Sequence, residues 1–297
     1  MSMRLLITGA TGMLGATLVK HFQKEYEVFS TGSSEKGLSF FKNYTSFDLK
    51  EPSYEALIKW SKPNVIIHCA ALTNGNYCDL NPKEAFLING ISVKKIIDAV
   101  NLDTKVIYIS TDAVFPAELH MSKEEDCASP NSVYGKSKEL GEFFLTNSKL
   151  NYTIIRTTIV GSNLNKTKSG FAEWILNSVK NKEEISLFAD VLFTPISIWN
   201  LAENINQIIS NNEMFSRKTL HIGGNEICTK YDFGIELLKQ FNLPVNLIKK
   251  GKITDFKDRA KRSTDQTLDS SYYQNLSKTV LPNLHQTIKD FKINYNE

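Results

Sequence analysis

The sequence predicts an α/β protein built on a doubly wound parallel sheet, and two observations carry this prediction. Short runs rich in Val and Ile alternate with amphipathic stretches of helical length throughout the first half of the chain. Strands that are apolar on both faces and are separated by helices are typical of parallel sheets covered by helices on both sides. In addition, a glycine-rich segment at residues 8–15 joins the first predicted strand to the first predicted helix.

The elements of the first half follow from local signals along the chain. Runs dominated by Val, Ile and other β-formers predict strands at residues 4–8, 27–31, 65–69, 105–110 and 152–156. Amphipathic spacing predicts helices at residues 12–24, 53–62, 82–100 and 132–148. Ser53 is a typical N-cap, and Pro82 suits the first turn of a helix, where its missing N–H would have no partner.

The alternation becomes less regular after about residue 160. Helices are predicted at residues 169–181, 199–211 and 229–241, and strands at residues 185–188 and 219–222. Thr229 followed by Asp232 is a capping-box pattern at the start of the third of these helices. Because no linker rich in Pro, Gly or Ser separates the halves, we expect the second half to form a smaller, mixed α/β lobe packed on the sheet.

Composition and charge exclude several classes of protein. The 297 residues are 41% hydrophobic and 23% charged with a formal net charge of +3, which excludes collagen-like, low-complexity and disordered chains. The longest apolar run, at residues 65–72, is too short for a membrane span, and the N-terminus shows no secretory signal. The five arginines are scattered rather than clustered, which argues against nucleic acid as a partner. We expect a soluble, cytoplasmic protein that binds neither nucleic acid nor membranes.

The four cysteines indicate neither a disulfide framework nor a structural zinc site. Cys69, Cys78, Cys127 and Cys228 form no C-x-x-C pair, and no His lies at ligand spacing from them. Structural zinc sites and disulfide-stabilised domains depend on such spacings. We therefore predict no bound metal, and we expect His68 to be a hydrogen-bonded histidine of the core.

The glycine-rich segment reads TGATGMLG, with glycines at positions 9, 12 and 15. Gly9 permits a tight turn, Gly12 allows the backbone to approach a pyrophosphate, and Gly15 allows the helix to pack closely on the strand. The N-terminus of the following helix presents N–H groups that bind an anion. This arrangement predicts a dinucleotide-binding Rossmann domain at residues 1–158. Residues 159–297 are then mainly a substrate-binding lobe, with some segments returning to the Rossmann sheet.

The end of the second predicted strand indicates which dinucleotide binds. An acidic side chain usually accepts a hydrogen bond from the adenosine ribose at this place, and none stands at the strand tip here. Ser33, Ser34 and Lys36 could instead bind a 2′-phosphate, which a carboxylate would repel. NADP(H) is therefore the preferred cofactor. NAD(H) is the alternative, since Glu35 could bind a ribose if the loop folds differently.

Tyr134 and Lys138 form a pair four residues apart in a predicted helix, so they are neighbours on one helix face. Such a pair is weak evidence for a catalytic site by itself, and the neighbouring motifs strengthen it. The strand that ends at Ser110 and Thr111 precedes the pair, and Asn89 lies in the helix before that strand.

These motifs resemble an extended short-chain dehydrogenase/reductase, and more narrowly the dTDP-4-dehydrorhamnose reductase-like branch of nucleotide-sugar reductases. The resemblance covers nearly the whole chain. The matching segments are TGATGMLG (8–15), FDL (47–49), CAALTN (69–74), CDLNP (78–82) with Asn89, STDAVF (110–115), PNSVYGKSK (130–138), RT (156–157) and RSTDQTLD (262–269).

The resemblance implies catalytic roles for three residues. Tyr134 would protonate the substrate carbonyl oxygen while the nicotinamide delivers hydride to its carbon, Thr111 would hydrogen-bond the same carbonyl, and Lys138 would hold the nicotinamide ribose. The pKa of a free Tyr is about 10, and we expect Lys138, together with the cationic oxidised nicotinamide, to lower it for Tyr134. Cofactor contacts are expected from Gly9, Thr11, Gly12, Met13, Leu14, Ser33, Ser34, Lys36, Asp48, Leu49, Ala70, Ala71, Asn89, Tyr134 and Lys138.

Departures from the branch lie where the sugar should bind. Ala113 replaces a Tyr of the branch, Asn76 stands where an Asp is usual, and Ile159 or Val160 occupies the place of a Trp. Because the residues for reduction are retained while these differ, we expect a related but different nucleotide-linked ketosugar as substrate. Substrate contacts are expected from Thr73, Asn76, Asp112, Ala113 and Arg262, with the diphosphate near Arg262.

Related functions of the superfamily differ from a reductase at identifiable places. Dehydratases carry Thr-Asp-Glu where this chain has Thr111, Asp112 and Ala113, so elimination of water is not expected. Epimerases retain the Tyr/Lys pair, but they usually hold NAD and often have an acidic tip on the second strand. A non-catalytic NADP-binding regulatory subunit, like the regulatory partner of methionine adenosyltransferase, also belongs to the branch. The sequence favours a reductase, with an epimerase and a regulatory subunit as alternatives and a homodimer as a candidate assembly.

Overall fold

The computed structural model describes residues 2–255 and 263–295, and the expected doubly wound α/β fold is confirmed. In chain order, the strands are β1 (Arg4–Thr8), β2 (Glu27–Gly32), β3 (Asn43–Ser46), β4 (Val65–His68), β5 (Lys105–Thr111), β6 (Asn151–Thr157), β7 (Ile159–Val160), β8 (Ile185–Phe188), β9 (Leu192–Phe193), β10 (Ile196–Ser197), β11 (Lys218–His221), β12 (Cys228–Thr229), β13 (Ile248–Gly251) and β14 (Asp265–Gln266). Seven of them form a central sheet in the spatial order β11–β6–β5–β4–β1–β2–β3. All six neighbouring pairs of this sheet are parallel.

Helices cover both faces of the sheet. In chain order they are α1 (Met13–Phe22), α2 (Glu55–Ser61), α3 (Gly75–Leu80), α4 (Pro82–Phe86), α5 (Ser92–Ala99), α6 (Val133–Thr146), α7 (Phe171–Lys180), α8 (Ile198–Ser210), α9 (Lys230–Gln240), α10 (Ser271–Ser277) and α11 (Leu284–Asn294). On one face, Leu18 of α1 and Ile205 of α8 belong to the same buried apolar cluster as the strand residue Ile7. On the other face, α2, α5 and α6 contribute buried residues such as Ile96 and Leu145 to a second cluster.

A third buried cluster holds the second-half lobe together. It joins α7, α9 and α11 to the short parallel pair β8–β13. The chain also returns to the central sheet after β7–β10, because β11 pairs with β6. The functional division near residue 158 stays a prediction. In the two described ranges, no helix is both long and apolar enough to cross a membrane.

Three features of the first half differ from the sequence-based expectations, and one of them is helix α3, which was not predicted. β3 was missed, because an edge strand of sequence NYTS is only partly buried and shows no apolar run. The prediction of one α-helix over residues 82–100 is wrong, since a π-helical turn at Leu87–Ile91 separates α4 from α5. Within this turn the carbonyl oxygen of Asn89 accepts a hydrogen bond from the Tyr108 hydroxyl at 3.0 Å. The turn thus ties the helix to β5 in a way that helical periodicity does not reveal.

Candidate functional site

A cleft of about 1540 Å³ opens at the carboxyl ends of β1, β2, β4 and β5 and continues onto the second-half lobe. The strand order of the sheet reverses between β1 and β4, and ligands of open α/β sheets bind at such a point. Of the predicted site residues, those that line the cleft are Gly9, Thr11, Gly12, Met13, Leu14, Ser33, Asp48, Leu49, Ala70, Ala71, Thr73, Thr111, Asp112, Ala113, Tyr134 and Lys138. Those that do not line it are Ser34, Lys36, Asn76 and Asn89. Arg262 lies outside the described residues.

The glycine loop leaves no room for side chains where it meets the sheet and helix α1. Gly9 has a φ of +67°, a conformation that favours glycine. A Cβ atom on Gly9 would lie 2.7 Å from the backbone of Ala70, and one on Gly15 would lie 2.2 Å from the carbonyl oxygen of Gly9. The first turn of α1 therefore lies directly against the end of β1, as the spacing of the glycines predicted.

The N-terminus of α1 suits an anion such as a dinucleotide pyrophosphate. Its N-cap is Gly12, so no N-cap side chain occupies the first-turn N–H groups, and the first turn of this described helix contains no acidic residue. Unsatisfied N–H groups and the positive end of the helix dipole bind negative charge. The loop and the helix thus fit the pyrophosphate of a nicotinamide dinucleotide.

Of the three residues predicted to bind the cofactor after β2, namely Ser33, Ser34 and Lys36, only Ser33 lines the cleft. Ser33 is exposed and lines the cleft, whereas Ser34 and Lys36 are exposed outside its lining. The Tyr44 hydroxyl donates to the carbonyl oxygens of Gly32 at 3.3 Å and Ser34 at 2.5 Å. These bonds hold the turn after β2 against β3, and Ser33 is left as the hydroxyl nearest to the cleft in this turn.

Helix α6 places Tyr134 in the cleft beside Thr111. Ser132 caps the helix by accepting a hydrogen bond from the Gly135 N–H at 3.0 Å. A Cβ atom on Gly135 would lie 2.2 Å from the carbonyl oxygen of Ala113, so the first turn of α6 lies tightly against the turn that follows β5. As a result, the side chains of Tyr134 and Thr111 are in hydrogen-bonding contact.

The pKa of Tyr134 is raised in the structure, mainly by burial, and the charge of Asp112 raises it further while the Thr111 hydrogen bond lowers it. Lys138 is not among the groups that shift this pKa in the structure, and its predicted effect together with the oxidised nicotinamide stays a prediction. The Nζ atom of Lys138 donates instead to the carbonyl oxygen of Ile109 at 2.7 Å. Consequently, Tyr134 carries its proton at neutral pH.

Lys138 is 1% exposed, and burial lowers its pKa to about 7. The charge of Glu142 raises this pKa. The Nζ atom also lies 3.9 Å from the centre of the Tyr108 ring, a cation–π contact. Lys138 is thus a buried amine whose charge changes close to neutral pH.

Asp112 follows Thr111 in the short turn at the end of β5. The Thr111 hydroxyl donates to Oδ1 of Asp112 at 2.9 Å, and its oxygen accepts from the N–H of Ala113 at 3.2 Å. Burial raises the pKa of Asp112, while the Thr111 hydrogen bond and the charge of Lys230 lower it. The carboxyl group therefore lies in the cleft between a hydroxyl and a cation.

Asn89 supports the cleft from behind instead of lining it. Its side-chain oxygen accepts from the N–H of Leu72 at 2.7 Å, and its amide donates to the carbonyl oxygen of Leu72 at 3.0 Å and to the Ser137 hydroxyl at 2.9 Å. These bonds fasten the segment after β4 to α6. Asn89 thus supports Leu72, which lines the cleft, and its predicted contact with the cofactor stays a prediction.

His68 is fully buried, and the prediction of a core histidine is confirmed. Its ring nitrogens lie within hydrogen-bonding distance of the hydroxyl oxygens of Thr8 at 2.7 Å and Ser92 at 3.2 Å. All four cysteines lie in the described ranges and are free thiols. In those ranges no group of three or more His, Cys, Asp or Glu side chains is placed to hold a metal ion.

The second-half lobe contributes aromatic and cationic side chains to the cleft. Phe171 and Trp174 of α7 stack with their ring centres 6.3 Å apart, and Nζ of Lys230 lies 3.2 Å from the centre of the Phe193 ring. The Glu173 carboxylate accepts a hydrogen bond from the N–H of the N-cap residue Gly170 at 2.7 Å, which fixes the first turn of α7. This side of the cleft suits a flat ring together with an anionic group.

Two residues of interest were missed by the sequence analysis. Lys230 directly follows the predicted N-cap Thr229, and no local pattern marks it as a cleft residue. Glu142 lies four residues after Lys138 on the same helix face, a spacing that could have drawn attention to it. Its partners, Ser110 and Arg156, come from two different strands.

A family model described as the RmlD substrate binding domain matches residues 3–296. The chain belongs to this family. It is 29% identical over 286 residues to the dTDP-4-dehydrorhamnose reductase of Aggregatibacter actinomycetemcomitans, covering 91% of this chain and 92% of the relative. It is also 29% identical over 252 residues to methionine adenosyltransferase 2 subunit beta of Rattus norvegicus, covering 82% of this chain and 73% of that protein.

Among solved structures, the RmlD-family chain is similar to dTDP-4-dehydrorhamnose reductase from Bacillus anthracis in complex with NADP. The TM-score is 0.88 at 26% sequence identity, and the match covers 99% of both chains. The resemblance to the dTDP-4-dehydrorhamnose reductase-like branch of extended short-chain dehydrogenases/reductases, noted on the motifs, is therefore confirmed.

Proposed function

We propose that this protein is an NADPH-dependent reductase of a nucleotide-linked 4-keto-6-deoxysugar. The observation that carries the proposal is the common cleft, in which Thr111, Tyr134 and Lys138 face the glycine loop. Membership of the RmlD family and the named reductases among its relatives support the reaction class.

Tyr134 acts as the general acid of the proposed reaction. When bound, NADPH would supply the hydride that reduces the carbonyl carbon. The carbonyl electron pair moves to oxygen, and the Tyr134 hydroxyl gives its proton to that oxygen, while Thr111 donates a hydrogen bond to it. A free Tyr, with a pKa of about 10, is protonated at neutral pH, and burial raises the pKa of Tyr134 further, so this group carries the proton that reduction requires. The positive charge of Lys138 would stabilise the phenolate that remains.

NADPH is the preferred cofactor because of the tip of β2. The exposed hydroxyl of Ser33 can donate to a 2′-phosphate, and the turn 33–36 presents no carboxylate to the cleft. Asp48 and Leu49, at the next strand end, border the place of the adenine. The B. anthracis reductase, crystallised with NADP, supports the same choice.

The lobe side of the cleft binds the nucleotide sugar in this proposal. The stacked rings of Phe171 and Trp174 suit a nucleobase. The sugar lies between Thr73 and the Asp112–Val114 turn, where the small side chain of Ala113 leaves room around the reacting carbon. The proposed contact of Arg262 with the diphosphate falls outside the described residues.

A non-catalytic, NADP-binding regulatory subunit is the second candidate. It is favoured by one specific observation, the 29% identity with methionine adenosyltransferase 2 subunit beta. Such a subunit needs the glycine loop but does not need Tyr134 to transfer a proton.

NADPH oxidation with a panel of substrates separates the two functions. The panel contains dTDP-, GDP-, CDP- and UDP-linked 4-keto-6-deoxysugars, and free keto compounds without a nucleotide serve as controls. We expect rapid oxidation with at least one nucleotide sugar and slow oxidation with the free compounds. Binding of NADPH without oxidation by any nucleotide sugar would favour the regulatory subunit, and equal rates with free compounds would contradict the substrate class.

A further inference from the structure

A buried ion pair lies directly behind the helix that carries Tyr134 and Lys138. Glu142 of α6 accepts hydrogen bonds from Arg156 of β6, from Nε at 3.1 Å and from the terminal guanidinium nitrogen at 2.7 Å. Both side chains are less than a tenth exposed. A buried ion pair contributes little net stability, because desolvation offsets the attraction. The pair is therefore of interest for the position that it gives α6 and for its charge, rather than for stability.

Glu142 connects α6 to two neighbouring strands at once. Besides the bonds from Arg156, it accepts a hydrogen bond from the Ser110 hydroxyl at 2.5 Å. Ser110 and Arg156 are paired across β5 and β6. Ser110 immediately precedes Thr111, which contacts Tyr134. One carboxylate thus fixes the distance between α6 and the strand end that carries the other proposed catalytic group.

The same carboxylate belongs to a residue that is buried on α6 together with Lys138. The two residues are one turn apart on the same side of α6, so their side chains are neighbours. Burial makes the charged form of Lys138 unfavourable and lowers its pKa to about 7, and the charge of Glu142 opposes this effect. Without Glu142, a larger fraction of Lys138 would be neutral at physiological pH.

Other groups around Lys138 do not replace this carboxylate. Cys69, at the end of β4, has a pKa that burial raises to about 12, so it is a neutral thiol. His68 on β4 has a pKa that burial lowers to about 3, so it is neutral as well. Tyr108 of β5 offers its ring, and Arg156 of β6 lies beyond Glu142 as a cation.

We infer that Glu142 is a positioning residue, which fastens α6 to the ends of β5 and β6 and supplies a negative charge that increases the protonated fraction of Lys138. The inference rests on the proposed function for the role of Lys138 in the reaction. The two effects on Lys138 and on turnover can be measured separately.

The charge of Lys138 can be read directly in the full-length protein without substrate. Lysines labelled with ¹³C at the ε carbon are titrated by NMR, and the resonance missing in Lys138→Met identifies the residue. We expect a midpoint near 7 in the wild type and a decrease by about one pH unit or more in Glu142→Gln, the usual effect of an adjacent opposite charge. Lys105, which is buried at the other end of β5 with a pKa lowered to about 8, is the internal control and should not move.

Glu139→Gln is the matched control variant, because Glu139 lies on the same helix and is only partly buried. It should leave the midpoint of Lys138 unchanged. If Glu142→Gln does not fold, as judged by near-UV circular dichroism, the double variant Glu142→Gln/Arg156→Met removes both charges and should show a smaller decrease, because the loss of the Arg156 cation opposes the loss of the carboxylate. An unchanged midpoint of Lys138 in a folded variant without the Glu142 carboxylate would overturn the inference.

Turnover then tests the consequence for the reaction. Lys138 is charged below its pKa, so kcat should be lost as the pH rises through that value. In Glu142→Gln this loss should occur about one pH unit lower, with KM for the sugar nearly unchanged. A shifted Lys138 midpoint in a protein that reduces no nucleotide sugar would refute the proposed function alone. If the protein reduces a nucleotide sugar but Glu142→Gln changes neither the midpoint of Lys138 nor the pH dependence of kcat, the inference is refuted and the proposed function is not.

Discussion

The side of the cleft that borders the glycine loop is built from the ends of neighbouring strands in one sheet, whereas the opposite side is assembled from segments spread over residues 157–266. On the first side, backbone conformation creates the binding surface, as the φ of Gly9 and the close contact at Gly15 show. On the second side, large side chains such as Phe171, Trp174 and Lys230 create it.

This difference explains what each side can recognise. A surface made of glycines and helix N–H groups binds a pyrophosphate in nearly the same way in any chain that has the pattern. A surface made of side chains from separate elements can change residue by residue without affecting the sheet. We therefore expect specificity for the nucleotide to depend on the lobe, and specificity for the sugar to depend also on Thr73 and the Asp112–Val114 turn of the first half. The following substitutions test this separation.

The largest effect is expected for Tyr134→Phe, where the two sides meet. Removing the proton donor should lower kcat by about 10²–10⁴-fold, the range for a positioned general acid, while NADPH affinity stays nearly constant. Steady-state kinetics and a fluorescence titration with NADPH measure the two quantities. Tyr77→Phe is the control, since Tyr77 is 43% exposed. Normal turnover in Tyr134→Phe would remove the proposed acid and favour the regulatory subunit.

Gly15→Ala tests the cofactor side through its packing. The new Cβ atom would lie 2.2 Å from the carbonyl oxygen of Gly9, and overpacking of this kind should lower the free energy of unfolding by about 1–3 kcal/mol. The displaced loop should also weaken NADPH binding by roughly tenfold. Gly12→Ala, whose Cβ has its nearest neighbour at 3.2 Å, should weaken binding with much less loss of stability. Equal stability losses in the two variants would contradict the packing argument.

Trp174→Ala tests the lobe side. Loss of the stacking surface should raise KM for the nucleotide sugar by up to about tenfold, since aromatic stacking contributes about 0.5–1.5 kcal/mol. The value of kcat and the affinity for NADPH should change less than twofold, as roughly expected for a residue outside the reacting centre. Trp60→Ala is the control, because Trp60 is similarly exposed but packs on Phe29 away from the cleft. A fall in kcat without a change in KM would argue against a binding role for Trp174.

The smallest effect is expected for Ser33→Asp at the tip of β2. A carboxylate about 4 Å from the 2′-phosphate should cost about 1 kcal/mol in water, which weakens NADPH binding roughly fivefold. NADH affinity should stay the same or improve. Ser39→Asp adds the same charge at an exposed position outside the cleft lining and controls for net charge. A wild type that prefers NADH, or a Ser33→Asp variant that binds both cofactors equally less well, would contradict the assignment of this turn.

The difference between the glycine-loop side and the lobe side of the cleft also determines how much could be predicted from the sequence alone. β1, β4, β5 and β6 were located to within one or two residues, because a strand buried on both faces is a run of apolar residues. The glycine loop was located because the three glycines that it needs, at positions 9, 12 and 15, recur at fixed spacing. Short strands such as β9 and β12 have two residues each, and their pairing depends on the position of distant chain segments.

Residues whose role depends on distant partners were harder to predict. The pKa of Tyr134 was expected to fall through Lys138 and the oxidised nicotinamide, whereas in the structure burial raises it and Lys138 donates to the carbonyl oxygen of Ile109. Ser34 was expected in the cleft, but Tyr44 of β3 holds its carbonyl in the turn. Contacts across elements, which no local pattern records, account for these differences.

Transfer of isotope from cofactor to sugar tests the central claim most directly. The protein is incubated with NADPH that carries deuterium at the transferable nicotinamide position and with the nucleotide-linked 4-keto-6-deoxysugar that reacts best. The account predicts a product with one deuterium on the former carbonyl carbon and an equal amount of NADP⁺. Tight NADPH binding with no deuterium in any sugar would show that this cleft holds the dinucleotide without reducing a substrate, and would contradict the account.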